Sequence, residues 1–214
     1  MPLDTRHSTL VPTVFVIDDD ASIRKSLSRL LRSAGYSAET FSCAEEFLGR
    51  EHFDGVGCLI LDVQMPGLSG MDLQEELTKA DYQMPIVFIT GHGDIPMSVQ
   101  AMQKGAVDFL VKPFDDKQLL QAIESAVEKD KQARVEYDVT LDVRRRIELL
   151  TPREIEVLRY VITGMMNKQI ALKLDIAEKT VKVHRGRIME KLCVDSVAEL
   201  VRLAETASIR PATK

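Results

Sequence analysis

Asp18-Asp19-Asp20, Asp62, Thr90 and Lys112-Pro113 each follow or close an apolar run, and together their types describe one chemistry. Three carboxylates gathered at one place repel unless a cation sits among them. Mg²⁺ is the default for hard oxygen donors, completing its shell with water and a substrate phosphate. A carboxylate beside it can attack phosphorus and form an acyl phosphate. Thr90 can hydrogen-bond a phosphoryl oxygen, and Lys112 supplies a compact positive charge. Singly these residues are bland. A strand-end Asp usually caps the next helix or turn, the role assigned to Asp20, and a Lys-Pro pair usually marks a surface turn. In combination they describe a phosphoryl switch.

Such a switch needs a scaffold that brings strand ends together. The first half of the chain alternates between β-branched apolar runs and helical periodicity. Strands are expected at residues 13–18, 36–41, 58–63, 85–90 and 109–112. After the first, Ile23, Leu27, Leu30, Leu31 and Ala34 recur at helical spacing, with Gly35 as the stop. Further helices are expected at 44–48, 71–79 and 96–104, the last halted by Gly105, and around Leu119, Leu120, Ile123, Ala126 and Val127. Continuously apolar strands alternating with helices imply an α/β fold, a doubly wound five-stranded parallel sheet covered on both faces. In strand order 2-1-3-4-5 the first and third strands flank the switch point, where sites form at the carboxyl ends.

The second half carries no strand pattern. Thr151-Pro152-Arg153-Glu154 combines a cap, a first-turn proline and a capping-box glutamate. Ile155, Leu158, Val161 and Ile162 give that helix its buried stripe, and Gly164 ends it. Helices at 167–174 and 178–192 flank a turn, and Asp195 or Ser196 caps a last helix to about 204. The middle pair fits a helix-turn-helix, with Ile170, Ala171, Leu174, Ile176, Val181 and Ile188 inside. Its second helix displays Lys179, Lys182, His184, Arg185, Arg187 and Lys191, suited to a major groove as well as to plain solvation. No Gly or Pro separates Phe114 from Thr151, so the connection is expected to stay helical past Val127 to about Val139. The β-branched Val139, Thr140 and Val143 should fray it there.

At 214 residues the chain suits two domains, and its 45% apolar and 29% charged shares are those of ordinary soluble protein. No stretch approaches a membrane span, and the first 13 residues lack the apolar core of a secretory signal. Cys43, Cys58 and Cys193 lie far apart in motif-free surroundings, as reduced core or near-core thiols of a cytoplasmic protein. The net charge of −5 hides an asymmetry. Residues 1–143 hold 13 basic and 24 acidic side chains, a balance of −11, whereas 144–214 hold 15 and 9, a balance of +6. A basic second half points to an anionic partner.

Ile17-Asp18-Asp19-Asp20, the run Leu61-Asp62-Val63-Gln64-Met65-Pro66-Gly67-Leu68-Ser69-Gly70, Thr90-Gly91-His92 and Phe109-Leu110-Val111-Lys112-Pro113-Phe114 resemble the signature of response-regulator receiver domains, of flavodoxin-like fold, over residues 12–128. The resemblance implies that Asp62 is the phosphoacceptor. It implies that Asp19 and Asp62 ligate Mg²⁺ with the Gln64 carbonyl, and Asp18 through water. Thr90 and Lys112 become the switch pair, Phe109 the aromatic rotamer switch, and Lys112-Pro113 a cis bond. Leu150-Thr151-Pro152-Arg153-Glu154, Asn167-Lys168-Gln169-Ile170-Ala171 and Lys179-Thr180-Val181-Lys182-Val183-His184-Arg185 resemble the four-helix output domain of the LuxR/FixJ/NarL group, over 147–207, leaving 129–146 as linker. Lys182 and Val183 then face bases, with Lys179 and Arg185 near phosphates. Ala177 departs from the group's capping Ser or Thr. Gly186 falls where related proteins can place a long polar base-contacting residue, for which Arg187 is the available substitute. Gly91-His92-Gly93-Asp94-Ile95-Pro96-Met97 and Arg146-Ile147-Glu148-Leu149-Leu150-Thr151 favour the FixJ-like branch.

The expected function is a response regulator of a two-component system, not an enzyme. A sensor histidine kinase phosphorylates Asp62, the protein dimerises, and it binds promoter DNA to regulate transcription with RNA polymerase as the further partner. One rival is a haloacid-dehalogenase-like aspartyl-phosphate phosphohydrolase, but those enzymes place a second Asp two residues after the nucleophile, where Gln64 stands here. Another is a phospho-switched module that binds protein or RNA.

Overall fold

Three strands of this chain are apolar on both faces, so each needs cover on two sides. β1 (Thr13–Ile17), β3 (Gly57–Asp62) and β4 (Ile86–Thr90) are buried along their whole length. β2 (Ser37–Phe41) is an exposed edge, and β5 (Asp108–Val111) closes the other side. They form one parallel sheet in the order β2-β1-β3-β4-β5. The structure, a computed structural model, describes residues 11–91 and 95–212. The leading segment read for a secretory signal lies mostly outside these residues, as does His92–Asp94 of the Gly91–Met97 stretch.

The sheet's two faces each carry a core. Phe15, Ile17, Leu59, Leu61 and Phe88 face one side, under α2 (Ala44–Leu48), α3 (Gly70–Lys79) and α4 (Ile95–Gln103). Val14, Val16, Ile60, Val87 and Ile89 face the other, under α1 (Ala21–Ser33) and the first half of α5 (Asp116–Glu148). Alternation along each strand sends successive residues to opposite cores. The strand bounds differ from expectation by one residue. β1 stops at Ile17 and β5 at Val111, so Asp18 and Lys112 sit just beyond their strands.

The chain divides into two compact units, 1–133 and 134–214. α5 runs unbroken to Glu148, nine residues past the fraying expected at Val139. Val143 is buried and Ile147 packs in the core of the second unit, so tertiary contact outweighs the weak helix propensity of the β-branched run. Among the described residues no helix is long and apolar enough to cross a membrane.

The second unit contains α6 (Pro152–Val161), α7 (Asn167–Leu174), α8 (Glu178–Leu192) and α9 (Val197–Thr206), packed on Val157, Leu158, Ile170, Val181, Ile188 and Leu200. Thr151 and Glu154 form the expected capping box on α6, and Ser196, not Asp195, caps α9. Two sequence expectations need correction. Cys193 is exposed at the left-handed end of α8, not near a core. Lys191 is not displayed for a partner. Its Nζ donates to Glu154 Oε2 at 2.7 Å and to the Leu149 carbonyl at 3.1 Å.

Glu154 is 2% exposed. Burial alone would raise its carboxyl, but the Lys191 ammonium and the Thr151 N–H and hydroxyl outweigh that and hold it below its ordinary value. A depressed carboxyl stabilises the fold above its unfolded pKa, and this contribution is lost as pH falls through the lower folded value. Lys191→Met should therefore raise the pH midpoint of acid unfolding and cost about 1–3 kcal/mol at neutral pH, because a buried carboxylate loses its cation. Urea unfolding at pH 7 and an acid titration measure both. Unchanged curves would show the pair to be ornamental.

Candidate functional site

The acidic residues converge as the strand order requires. β1 and β3 are neighbours in register, Ile17 opposite Leu61, so Asp18 and Asp62 emerge side by side. Carboxylate oxygens of Asp18, Asp19 and Asp62 lie within 4.8 Å of one another. Asp18 is wholly buried, Asp62 is 6% exposed and Asp19 is exposed. Register carries the other two groups to the same rim. Thr90 pairs with Val111, and the Lys112 N–H donates to the Thr90 carbonyl at 2.7 Å. From there Lys112 Nζ donates to Asp18 Oδ2 and to Asp62 Oδ2, both at 2.6 Å. Thr90 is fully buried, and the Lys112-Pro113 bond is cis. Phe109 is half-buried, its ring centroid 6.3 Å from that of Phe88.

Local turns hold the carboxylates. The Asp20 N–H donates to Asp18 Oδ1 at 2.8 Å, and Asp20 caps α1 through the Ser22 N–H, the capping role read from sequence. The Gln64 N–H donates to Asp62 Oδ1 at 3.0 Å, while its exposed position leaves the side chain outward. Burial pushes the Asp18 carboxyl up, opposed by the hydrogen bond from Lys112. Burial would pull the Lys112 ammonium down, yet its bonds to Asp18 and Asp62 prevail and raise it, so the lysine stays charged. Three carboxylates against one ammonium leave a surplus of negative charge. Hard oxygen donors so close together, two of them sunk in the fold, suit a small divalent cation such as Mg²⁺.

In the second unit α7, a turn at Asp175 and α8 form the helix-turn-helix, and Ala171 is buried where the helices approach. Val181, Ile188 and Leu192 point inward, which leaves Lys179, Lys182, Val183 and Arg187 exposed. Arg185 is half-buried, and its Nη1 donates to Asn167 Oδ1 at 3.1 Å. One guanidinium donor is thus committed inside the domain, which pre-orders the rest. Ala177 begins α8 with no side-chain cap, as its sequence departure implied.

Known proteins share this pairing of an α/β unit with a helical one. Residues 14–124 match the family model of the response regulator receiver domain, and residues 148–204 that of the bacterial regulatory proteins, luxR family. The chain belongs to the response regulators. It is 48% identical over 196 residues to nodulation protein W of Bradyrhizobium diazoefficiens, covering 92% of this chain and 86% of that one. The solved structure of the response regulator StyR is 52% identical with a TM-score of 0.81, over 92% of this chain and 99% of that one. Full-length FixJ from B. japonicum is 43% identical with a TM-score of 0.54, over 94% and 98%. The receiver and LuxR-type halves make this response regulator a transcriptional one.

Two receiver residues escaped the sequence reading as parts of the site. Gly70, quoted in the sequence reading only as the last residue of the receiver-like run, opens α3 directly against β3. A Cβ there would lie 2.2 Å from the Asp62 carbonyl oxygen, so no other residue fits. Arg24 Nη1 donates to the Asp18 carbonyl at 2.6 Å and pins the turn that carries the acids. The spacing of Gly70 from Asp62 was a legible signal, whereas nothing local marked Arg24.

Proposed function

We propose that Asp62 is the phosphoacceptor of this response regulator and that a sensor histidine kinase is its donor. The observation that supports it best is the single ammonium of Lys112 held between Asp18 and Asp62, with Thr90 buried on the adjoining strand end. An Asp62 carboxylate oxygen bonds to phosphorus, the P–N bond of the kinase's phosphohistidine breaks, and the imidazole leaves and takes up a proton. Asp19, Asp62 and the Gln64 carbonyl, with Asp18 through water, are the residues to hold Mg²⁺, which when bound neutralises the phosphoryl oxygens. Lys112 and the Thr90 hydroxyl donate to those oxygens. The inward turn of Thr90 frees space for Phe109, and this links the phosphate to the α4–β5 face. Gln64 offers no carboxylate to protonate a leaving group, which disfavours phosphohydrolase turnover.

On that reading the receiver (12–128) acts through a helical linker (129–146) on the DNA-binding domain (147–207), in the cytoplasm. Phosphorylation produces a homodimer whose two α8 helices bind promoter DNA and act on transcription with RNA polymerase. Lys182 and Val183 face bases, Lys179 and Arg185 meet phosphates, and Arg187 stands exposed beside Gly186. Duplex binding by the full chain with and without acetyl phosphate and Mg²⁺ is the test. Salt-dependent affinity that does not respond to phosphorylation would defeat it.

The α4–β5 face supplies the apolar surface for a second copy. Ile95 is 80% exposed and Val99 47%, Gln103 continues their every-fourth-residue stripe as an exposed position, and exposed Met102 beside it adds apolar area. Val111 of β5 is also exposed. Val99→Asp should weaken phosphorylation-dependent dimerisation roughly tenfold or more by placing a charge in an apolar contact. Light scattering of the acetyl-phosphate-treated variant reads this out, and a dimer as stable as the parent's would reject the face.

A further inference from the structure

α8 breaks two local rules of helix construction. Ala177 offers no acceptor to its first N–H groups, whereas Ser69, Thr151 and Ser196 cap α3, α6 and α9. Gly186 then stands ninth of fifteen residues, where glycine weakens a helix relative to alanine. A folded chain ordinarily requires a glycine for one of two reasons, a left-handed backbone or the close approach of another atom. Neither applies. Gly186 is absent from the positive-φ residues, and nothing lies within 4 Å of the position its Cβ would take. Local rules are broken most often where a protein meets a partner.

We infer that Gly186 is a specificity-determining contact, which lets the α8 backbone approach a base-pair edge more closely than any side chain would allow. This rests on the reading of α8 as the recognition helix. Gly186 follows Lys182 by four residues and Val183 by three, so the three share one face. All three are exposed, and the core residues Val181, Ile188 and Leu192 take the other side. A bare backbone between Lys182 and Val183 lets α8 sit deep in the groove. It brings the branched Val183 within reach of a thymine methyl and Lys182 within reach of a guanine edge. Lys179 and Arg185 keep the phosphate contacts, so the glycine affects which sequence is bound more than whether a duplex is bound.

Gly186→Ala separates the two roles because it moves helix stability and contact in opposite directions. Duplexes are selected from a random-sequence library with the acetyl-phosphate-treated full chain, and parent and variant are compared on a selected duplex and on one of unrelated sequence. The melting transition of the output domain should rise by roughly 2–8 °C. Affinity for the selected duplex should fall roughly tenfold, the size of one mismatched base pair. Affinity for the unrelated duplex should stay within about twofold. A variant that binds the selected duplex as tightly as the parent overturns the inference, as does an equal loss on both duplexes. If the parent enriches no sequence at all, the recognition-helix reading fails first and the inference falls with it.

Discussion

Replacing Asp62 by asparagine is expected to reduce phosphoryl uptake from acetyl phosphate or an active kinase to background, with Mg²⁺ present throughout. The neighbouring acids cannot substitute. Asp18 is wholly buried and already accepts from the Asp20 N–H and from Lys112. Asp19 and Asp20 lie on the exposed turn, with Asp20 engaged as the α1 cap. The asparagine amide would still present an oxygen to the Gln64 N–H, so the loop and the fold should persist while the nucleophile is lost. Intact-mass spectrometry with peptide mapping is the measurement. Phosphate found in quantity on any other residue of the variant would sink the assignment.

Lys112→Met should give the second largest change, and it separates stability from signalling. The lysine holds two buried carboxylates together, and without it they face each other within 4.8 Å. At an effective dielectric near 20 their repulsion is about 3 kcal/mol. Methionine keeps most of the stem's apolar contacts, so the loss is mainly electrostatic. In the presence of EDTA the variant should be less stable by roughly 2–4 kcal/mol. Mg²⁺ should restore more stability to the variant than it adds to the parent, because the negative surplus has grown by one charge. On the proposed function the variant should also accept phosphate without gaining duplex affinity, since the ammonium proposed to meet the phosphoryl oxygens is missing. Thermal unfolding in EDTA and in Mg²⁺, followed by duplex titration, measures each part. Equal stability in EDTA and an unaltered Mg²⁺ response would remove Lys112 from the site.

The receiver site was legible because Asp18, Asp62, Thr90 and Lys112 each close or follow an apolar run. Strand ends are marked locally, by the change from Ile17 to Asp18, from Leu61 to Asp62 and from Val111 to Lys112. The parallel order then carries all of them to one rim, which is why Asp18 and Lys112, 94 positions apart, meet at 2.6 Å. The helix starts at Thr151 and Ser196 were legible for the same reason. Each bonds to backbone three residues away, so the whole motif lies inside a short window, and Ser69 caps α3 in the same way.

The sequence by itself determined the two-part organisation, the sheet and the rim where its polar residues converge, and the contrast between an acidic first half and a basic second half. Periodicity, capping and charge are properties of neighbouring residues, and neighbours are what a sequence shows. Only the tertiary structure decided which polar groups have partners. Lys191 turned from a displayed cation into the mate of Glu154, Arg185 was found tied to Asn167, and Asp130 accepts the Gly57 N–H at the start of β3. It also carried α5 through its β-branched stretch to Glu148, because Val143 and Ile147 found a core to enter. It distinguished Gly70, which has an oxygen where its Cβ would be, from Gly186, which has open space there. Each of these outcomes depends on atoms brought close by packing, and the distance between two side chains in space is not a function of their distance along the chain.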